Sequence, residues 1–276
     1  MIRVKSLEAV SFKEEFNRKY IPEDKIPLFY DSIKHTVVCL MAIKPNKEVK
    51  DVENDESPYF GDPAEEVESS PVKMDFKEKQ AEEIPSEKMI FGTGVVLDSG
   101  FILTANHVVK GAKYISFRHL EDTNFYTCEV INHDTINDLA MLVRYSGEFT
   151  KCVEFGESKD IKHGRNVYCI SNPGVNSHFA VFRDTFSIGQ IGCPDRLVEN
   201  KKLIQINNTD GSYTGSMGAP VFSSSGTLIG IITKIEKPYD FAVRVDVVME
   251  FFKATLQQVL DQKRSLGNSQ ATKEEQ

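Results

Sequence analysis

From Met89 onward the chain alternates between short apolar runs and clusters of turn residues. Residues 90–97 (Ile-Phe-Gly-Thr-Gly-Val-Val-Leu) and 101–104 (Phe-Ile-Leu-Thr) are two such runs, separated by Asp98-Ser99-Gly100. Short β-branched or apolar runs on either side of a tight turn predict a hairpin. Residues 114–117, 125–131 and 139–143 continue the series, and residues 33–43 upstream read as a first buried strand, with His35 at its start in a structural role. A second set begins near Cys152. It comprises 166–171, a hairpin over 178–183 and 185–191, then 203–206, 220–223, 227–233 and 241–245. Two runs of roughly six short strands predict an all-β fold, sandwich or barrel.

The ends read differently. Residues 11–20 suit a short helix, with Phe12 and Phe16 one turn apart and Pro22 and Pro27 breaking it. Asp246 is placed to cap a closing helix whose apolar face carries Val248, Phe252, Leu256 and Val259, with Gly267 as its stop. The expected layout is an extension over 1–32, one two-lobed domain over 33–264 and a frayed tail over 265–276. No further domain is expected after the helix.

One stretch stands apart from this pattern. Residues 46–88 hold fourteen acids against six lysines, a difference equal to the whole chain's net charge of −8. With Pro58, Pro63, Pro71 and Pro85 as well, this stretch cannot bury much apolar surface and is expected to be a disordered acidic insert. Its apolar islands, Tyr59-Phe60 and Met74-Asp75-Phe76, are candidates for docking. The globular remainder is then near neutral. It has no Lys/Arg-rich patch, which argues against a nucleic-acid partner.

Composition narrows the setting. The apolar fraction of 40% suffices for a core, built with 18 Phe and no Trp. Cys39, Cys128, Cys152, Cys169 and Cys193 are odd in number and lack Cys-x-x-Cys spacing. They suggest neither a disulfide framework nor a metal site, and are expected to be buried reduced thiols. There is no signal-peptide-like run and no stretch long enough to span a membrane. The expectation is an intracellular protein, cytoplasmic or nuclear, without cofactor or metal.

Three stretches carry candidate chemistry. Residues 104–109 (Thr-Ala-Asn-His-Val-Val) end a hairpin and begin a helical turn. Residues 133–142 (His-Asp-Thr-Ile-Asn-Asp-Leu-Ala-Met-Leu) place Asp138 just before an apolar strand. Residues 215–222 (Gly-Ser-Met-Gly-Ala-Pro-Val-Phe) form a glycine-rich loop. Singly, His107 also reads as a half-buried structural histidine and Asp138 as a strand cap. Together, histidine, aspartate and nucleophile loop follow the chain order of chymotrypsin-like folds.

These motifs closely resemble the HtrA/Deg (protease Do-like) family of trypsin-like serine proteases. The resemblance rests on Gly92-Thr93-Gly94-Val95-Val96-Leu97, Gly100 through Val109 with Thr104-Ala105-Asn106-His107, and Asp138-Leu139-Ala140-Met141-Leu142. Ser171-Asn172-Pro173-Gly174, Gly226-x-x-Ile229-Gly230-Ile231 and Phe241-Ala242-Val243 complete it, over residues 33–260. It implies two six-stranded β-barrels with the site in the cleft between them, and a C-terminal helix. His107 would be the general base and Asp138 its orienting partner, with Asp134 a decoy. The oxyanion hole would be the backbone N–H groups of Gly215 and Met217. Gly211 and Thr233 would contact substrate, and the uncharged Gly211 points to small or medium apolar side chains. The family also implies a protein or peptide ligand, assembly into trimers, and a regulatory loop where the acidic insert falls.

The sequence departs from the family at two points. No PDZ domain is expected, and methionine stands where the nucleophilic serine belongs. A thioether has no proton for His107 to remove and forms no acyl-enzyme. The expected function is therefore a catalytically inactive protease homologue that binds proteins or extended peptides in the cleft by strand addition. One alternative is an active endopeptidase using Ser216, shifted by one residue; Ser212 and Ser223 lie further away. Another is a structural subunit of a protease-like oligomer.

Overall fold

The computed structural model describes residues 21–45, 87–97, 100–119, 122–145, 149, 151–173, 183–207 and 215–274. A 3-10 turn, Glu23–Lys25, leads into α1 (Ile26–Ile33), and a second, Lys34–Thr36, leads into β1 (Val37–Pro45). Then come β2 (Glu87–Val96), β3 (Phe101–Ala105), the one-turn α2 (Asn106–Val109), β4 (Tyr114–His119), β5 (Tyr126–Asp134) and β6 (Leu139–Arg144). The second half holds β7 (Asn166–Ser171), β8 (Thr185–Val198), β9 (Lys201–Asn207), β10 (Pro220–Phe222), β11 (Leu228–Glu236) and β12 (Tyr239–Arg244), closed by α3 (Val245–Glu274).

The strands close into two antiparallel barrels, in the orders β1-β2-β3-β6-β5-β4 and β10-β11-β12-β9-β8-β7. This is the double barrel that the resemblance implied. Strand alternation explains how it packs. Val96, Ile102 and Leu142 point into the first barrel, while their neighbours Val95, Leu103 and Met141 belong to a different buried cluster. That cluster also takes Tyr168, Ile170, Phe222 and Val243 from the second barrel, with Phe29 of α1 and Phe251 of α3. The strands at the junction are buried on both faces, so their sequences read as continuous apolar runs rather than alternating ones. Each fully buried Leu, Ile or Phe there contributes about 1.5–3 kcal/mol by leaving water. The junction therefore fixes the two walls of the cleft relative to each other.

Several local expectations are corrected. Pro27 opens a helix rather than breaking one, because in the first turn its missing N–H would have no intrahelical acceptor anyway. The first strand starts at Val37, and His35 lies in the preceding 3-10 turn. Asp246 sits inside the first turn of α3 and accepts a hydrogen bond from Arg244 Nε at 3.1 Å, so it is not the cap. Gly267 does not stop α3, which runs to Glu274; one interior glycine costs about 1 kcal/mol, too little to end a helix alone. All five cysteines are free, but only Cys39, Cys128 and Cys169 are buried; Cys193 is partly exposed and Cys152 exposed. The helix expected over 11–20, the insert up to residue 86 and most of the first strand of the 178–191 hairpin lie outside the described residues.

Candidate active site

The histidine and aspartate are set by backbone contacts between α2 and the β5–β6 turn. Asp134 accepts hydrogen bonds from the N–H groups of Ile136 and Asn137 at 2.8 and 2.9 Å, and from Asn137 Nδ2 at 2.7 Å. This side-chain turn shapes the approach to Asp138, which lies in the left-handed region at φ 57°, a conformation Asp tolerates better than most residues. Asp138 then receives α2 at three atoms. Its carbonyl accepts from Asn106 N at 2.9 Å and its Oδ1 from His107 N at 2.8 Å. Its Oδ2 lies 2.6 Å from His107 Nδ1. Both carboxylate oxygens are thereby committed to His107. With Nδ1 facing the carboxylate, Nε2 is left for the cleft, the arrangement a general base requires. Lys44 Nζ holds the other end of the residue by donating to the His107 carbonyl at 2.7 Å.

The glycine-rich loop is held from the opposite barrel by one residue, Thr93. Its N–H donates to Met217 O at 2.9 Å and its hydroxyl to Gly215 O at 2.7 Å. The same hydroxyl accepts from Asn172 N at 3.0 Å, and the Thr93 carbonyl accepts from Thr104 Oγ1 at 2.7 Å. Thr93 is completely buried, so each of these groups would be costly to leave unpaired. Its two neighbouring glycines keep this strand close to the site. A Cβ on Gly92 would meet Val108 Cγ1 at 2.6 Å. Across the loop, Gly218 has φ +84°, and a Cβ there would come within 2.2 Å of both Thr104 Oγ1 and Thr93 O. Its N–H donates to Ile232 O at 2.7 Å. The loop is thus stitched to both barrels through main-chain atoms. Among the described residues, no backbone carbonyl takes the N–H of Gly215 or of Met217.

Met217 is half-buried and packs against the first barrel's core, the cluster that contains Ala105 and Val108 on either side of His107. Ser216 is turned inward. It is 2% exposed, with its hydroxyl 3.3 Å from Ser171 Oγ on β7. Ser223 lies in a separate hydroxyl cluster with Ser225 and Thr227 in the β10–β11 turn. Gly211 and Ser212 lie outside the described residues.

A cavity of about 280 Å³ opens between the barrels. Its first-barrel wall includes His107 and Asp138, and its second-barrel wall is made by the β8–β9 hairpin and by Thr233 and Lys234 of β11. Thr233, expected to touch substrate, is at a bulge: pairing with β12 slips between Ile232 and Lys234. β10 pairs with β11 only as far as Ile231. Past that point β11 has β12 on one edge and, among the described residues, no strand on the other.

Of the residues expected at the site, His107, Asp138 and Thr233 line the cavity, and Met217 packs on the core cluster that flanks His107. The sequence reading missed Thr93 as the loop's anchor, Asn172 as the partner of Thr93, and the charged residues Glu199, Lys201 and Lys234 of the cavity wall. A polar residue between two glycines in an otherwise apolar strand was the available signal for Thr93. Nothing in the sequence marks the hairpin tip. Among the described residues no group of three His, Cys, Asp or Glu could hold a metal ion, and no helix is long and apolar enough to cross a membrane.

Fold and site together define a class, and comparison with known proteins agrees. The trypsin-like peptidase domain family matches residues 92–231, half of the chain, and the chain belongs to that family. Its curated relatives are of DegP/HtrA type. A protein described as a probable periplasmic serine endoprotease DegP-like, from Hahella chejuensis, is 28% identical over 82% of this chain and 48% of its own length. A serine protease Do-like HtrA from Lactobacillus helveticus is 27% identical over 73% of this chain and 46% of its own length. A serine protease Do-like HtrB from Bacillus subtilis is 31% identical over 49% of this chain and 30% of its own length. The chain thus spans half or less of the length of these relatives.

Proposed function

We propose that this chain is a protease fold without its nucleophile, and that it binds extended protein segments in the cleft between its barrels. The observation that carries this reading is Met217. It occupies the loop position that the His107–Asp138 pair would serve, and its side chain has no proton to give. A triad lacking one member keeps only about 10³–10⁴-fold over uncatalysed hydrolysis, which is negligible for peptide bonds. The rest of the apparatus supports binding. The 233–236 edge of β11 offers backbone donors and acceptors to an added strand. The N–H groups of Gly215 and Met217 are available to a ligand carbonyl.

The alternative nucleophile, Ser216, gains no support from its surroundings. Its hydroxyl is buried against Ser171 rather than turned to the cleft, and deploying it requires the loop to leave Thr93. The free thiols support an intracellular location, and the family resemblance supports assembly into trimers or a structural-subunit role.

The test compares the native chain with Met217→Ser for casein cleavage and for covalent labelling by a fluorophosphonate. A silent native chain together with an active, labelled Met217→Ser supports the reading. A native chain that labels and cleaves overturns it, and mapping the label identifies the serine in use.

A further inference from the structure

We propose that the cleft selects an extended ligand carrying an acidic side chain, received by Lys201 and Lys234 beside His107; this rests on the cleft-binding reading above. Several of the charges in the cavity are already matched. The walls carry Lys110, Lys201 and Lys234 against Asp138 and Glu199. Asp138 is committed at both oxygens to His107. Glu199 is committed to Lys234, at 2.5 Å, and Lys234 also holds Glu236 at 2.9 Å. Lys110 and Lys201 have no described carboxylate within ion-pair distance. Among the described residues the cavity therefore presents the ammonium groups of Lys110 and Lys201 without a paired carboxylate, on a chain whose overall charge is −8.

The position of Lys234 gives this charge a role in recognition. It is the first residue after the Thr233 bulge, on the part of β11 whose second edge has no strand among the described residues. A strand added there sends alternate side chains to the face on which Lys234 lines the cavity. Directly opposed opposite charges stabilise such a pair and like charges oppose it. An entering carboxylate can meet Lys201 directly and can also replace Glu199 on Lys234. That exchange is easy, because Glu199 sits at the hairpin tip with its side chain 66% exposed, and an exposed ion pair contributes little. Val198 and Leu203 on the same wall suit the methylene stem of a glutamate. A lysine in this place would face Lys201, whose ammonium has no described carboxylate beside it.

The experiment measures binding of three fluorescein-labelled pools of short peptides to the full chain by anisotropy. Alternate positions are fixed as Glu, Gln or Lys, and the rest are a mixture of Ala, Val, Ser and Thr. The Glu pool is expected to bind about threefold to tenfold more tightly than the Gln pool at low salt, and the Lys pool most weakly. The chain's net negative charge would by itself give the opposite order, so nonspecific attraction cannot produce this one. Combined Lys201→Glu and Lys234→Glu is expected to reverse the order. Lys201→Gln, a milder change, should narrow the gap between Glu and Gln pools and serves if the reversed variant fails to fold. Equal binding of Glu and Gln pools overturns the charge selection and leaves cleft binding standing. An unchanged preference in the lysine variants overturns it too, by placing the acid elsewhere. Binding of none of the pools removes the cleft-binding reading and the selection with it.

Discussion

The two barrels contribute unequally to the cleft. The first delivers His107 and Asp138 in a complete hydrogen-bond set, the aspartate bonded at its carbonyl and at both side-chain oxygens. The second delivers a loop whose main chain is held as firmly, by Thr93 and Ile232, but whose central side chain is a thioether. On the reading proposed above, side-chain chemistry is lost on one wall while backbone geometry is kept on both. On that reading, backbone geometry serves two tasks, placing an oxyanion hole and binding an extended chain, and the second needs no nucleophile.

The sharpest way to break this comparison is to return the missing atom. If the walls differ only at Met217, Met217→Ser should gain casein cleavage and fluorophosphonate labelling, with a ceiling of about 10⁶-fold, the amount lost when a serine protease loses its serine. No gain in the folded variant would show that the loop's geometry has drifted as well. Adding Asp138→Asn to Met217→Ser should then remove about 10⁴-fold of the restored rate, because the amide no longer fixes the histidine's tautomer. A loss of tenfold or less would mean that the 2.6 Å contact is structural only.

Smaller effects should separate the loop from its anchors. Gly218→Ala puts a methyl where two oxygens lie 2.2 Å away, in a left-handed conformation. The cost should be about 2–5 kcal/mol in chemical denaturation, from strain and overpacking together. Thr93→Val keeps the shape but leaves Gly215 O and Asn172 N unpaired in a buried site, at about 2–4 kcal/mol. In the Met217→Ser background, Thr93→Val should lower kcat more than it raises KM, since the loop it positions acts on the transition state. If stability falls and kcat does not, the loop holds its place without Thr93.

Much of this was legible in the sequence, for identifiable reasons. The strands and their division into two sets follow from short apolar runs and turn residues. The site was legible because His107, Asp138 and the 215–218 loop each sit in a local motif. What escaped depends on tertiary contact. Thr93 and Asn172 are far apart in sequence and meet only when the barrels close. Lys234 and Glu199 are 35 positions apart and meet because β8–β9 folds over the cleft. Helix ends were misread because the expectation rested on single residues. Pro27 suits a first turn as well as it ends a helix, and Gly267 needs a left-handed backbone to stop one.

The smallest expected effect asks whether the two walls melt as one. His119, on β4 of the first barrel, packs edge-on to Phe117 and Phe149, at centroid distances of 5.8 and 5.0 Å. Burial pushes its imidazole pKa below the usual histidine value of about 6.5; Asp122 opposes this, while Arg144 and His35 add to it. Between that usual value and the lower folded one, the unfolded chain binds the proton and the folded chain does not. The His119 contribution is therefore complete above about pH 6.5 and is lost as pH falls toward the folded value. His119→Phe should remove this part of the acid sensitivity, seen as a shallower fall in melting temperature between about pH 7 and 5. Because the junction cluster draws on both barrels, acid should loosen them together, so amide exchange in β8–β9 should rise with that in β4–β5. Exchange that rises in β4–β5 alone would show that the walls of the cleft are separable, and that the first can be lost while the loop and the open edge of β11 remain.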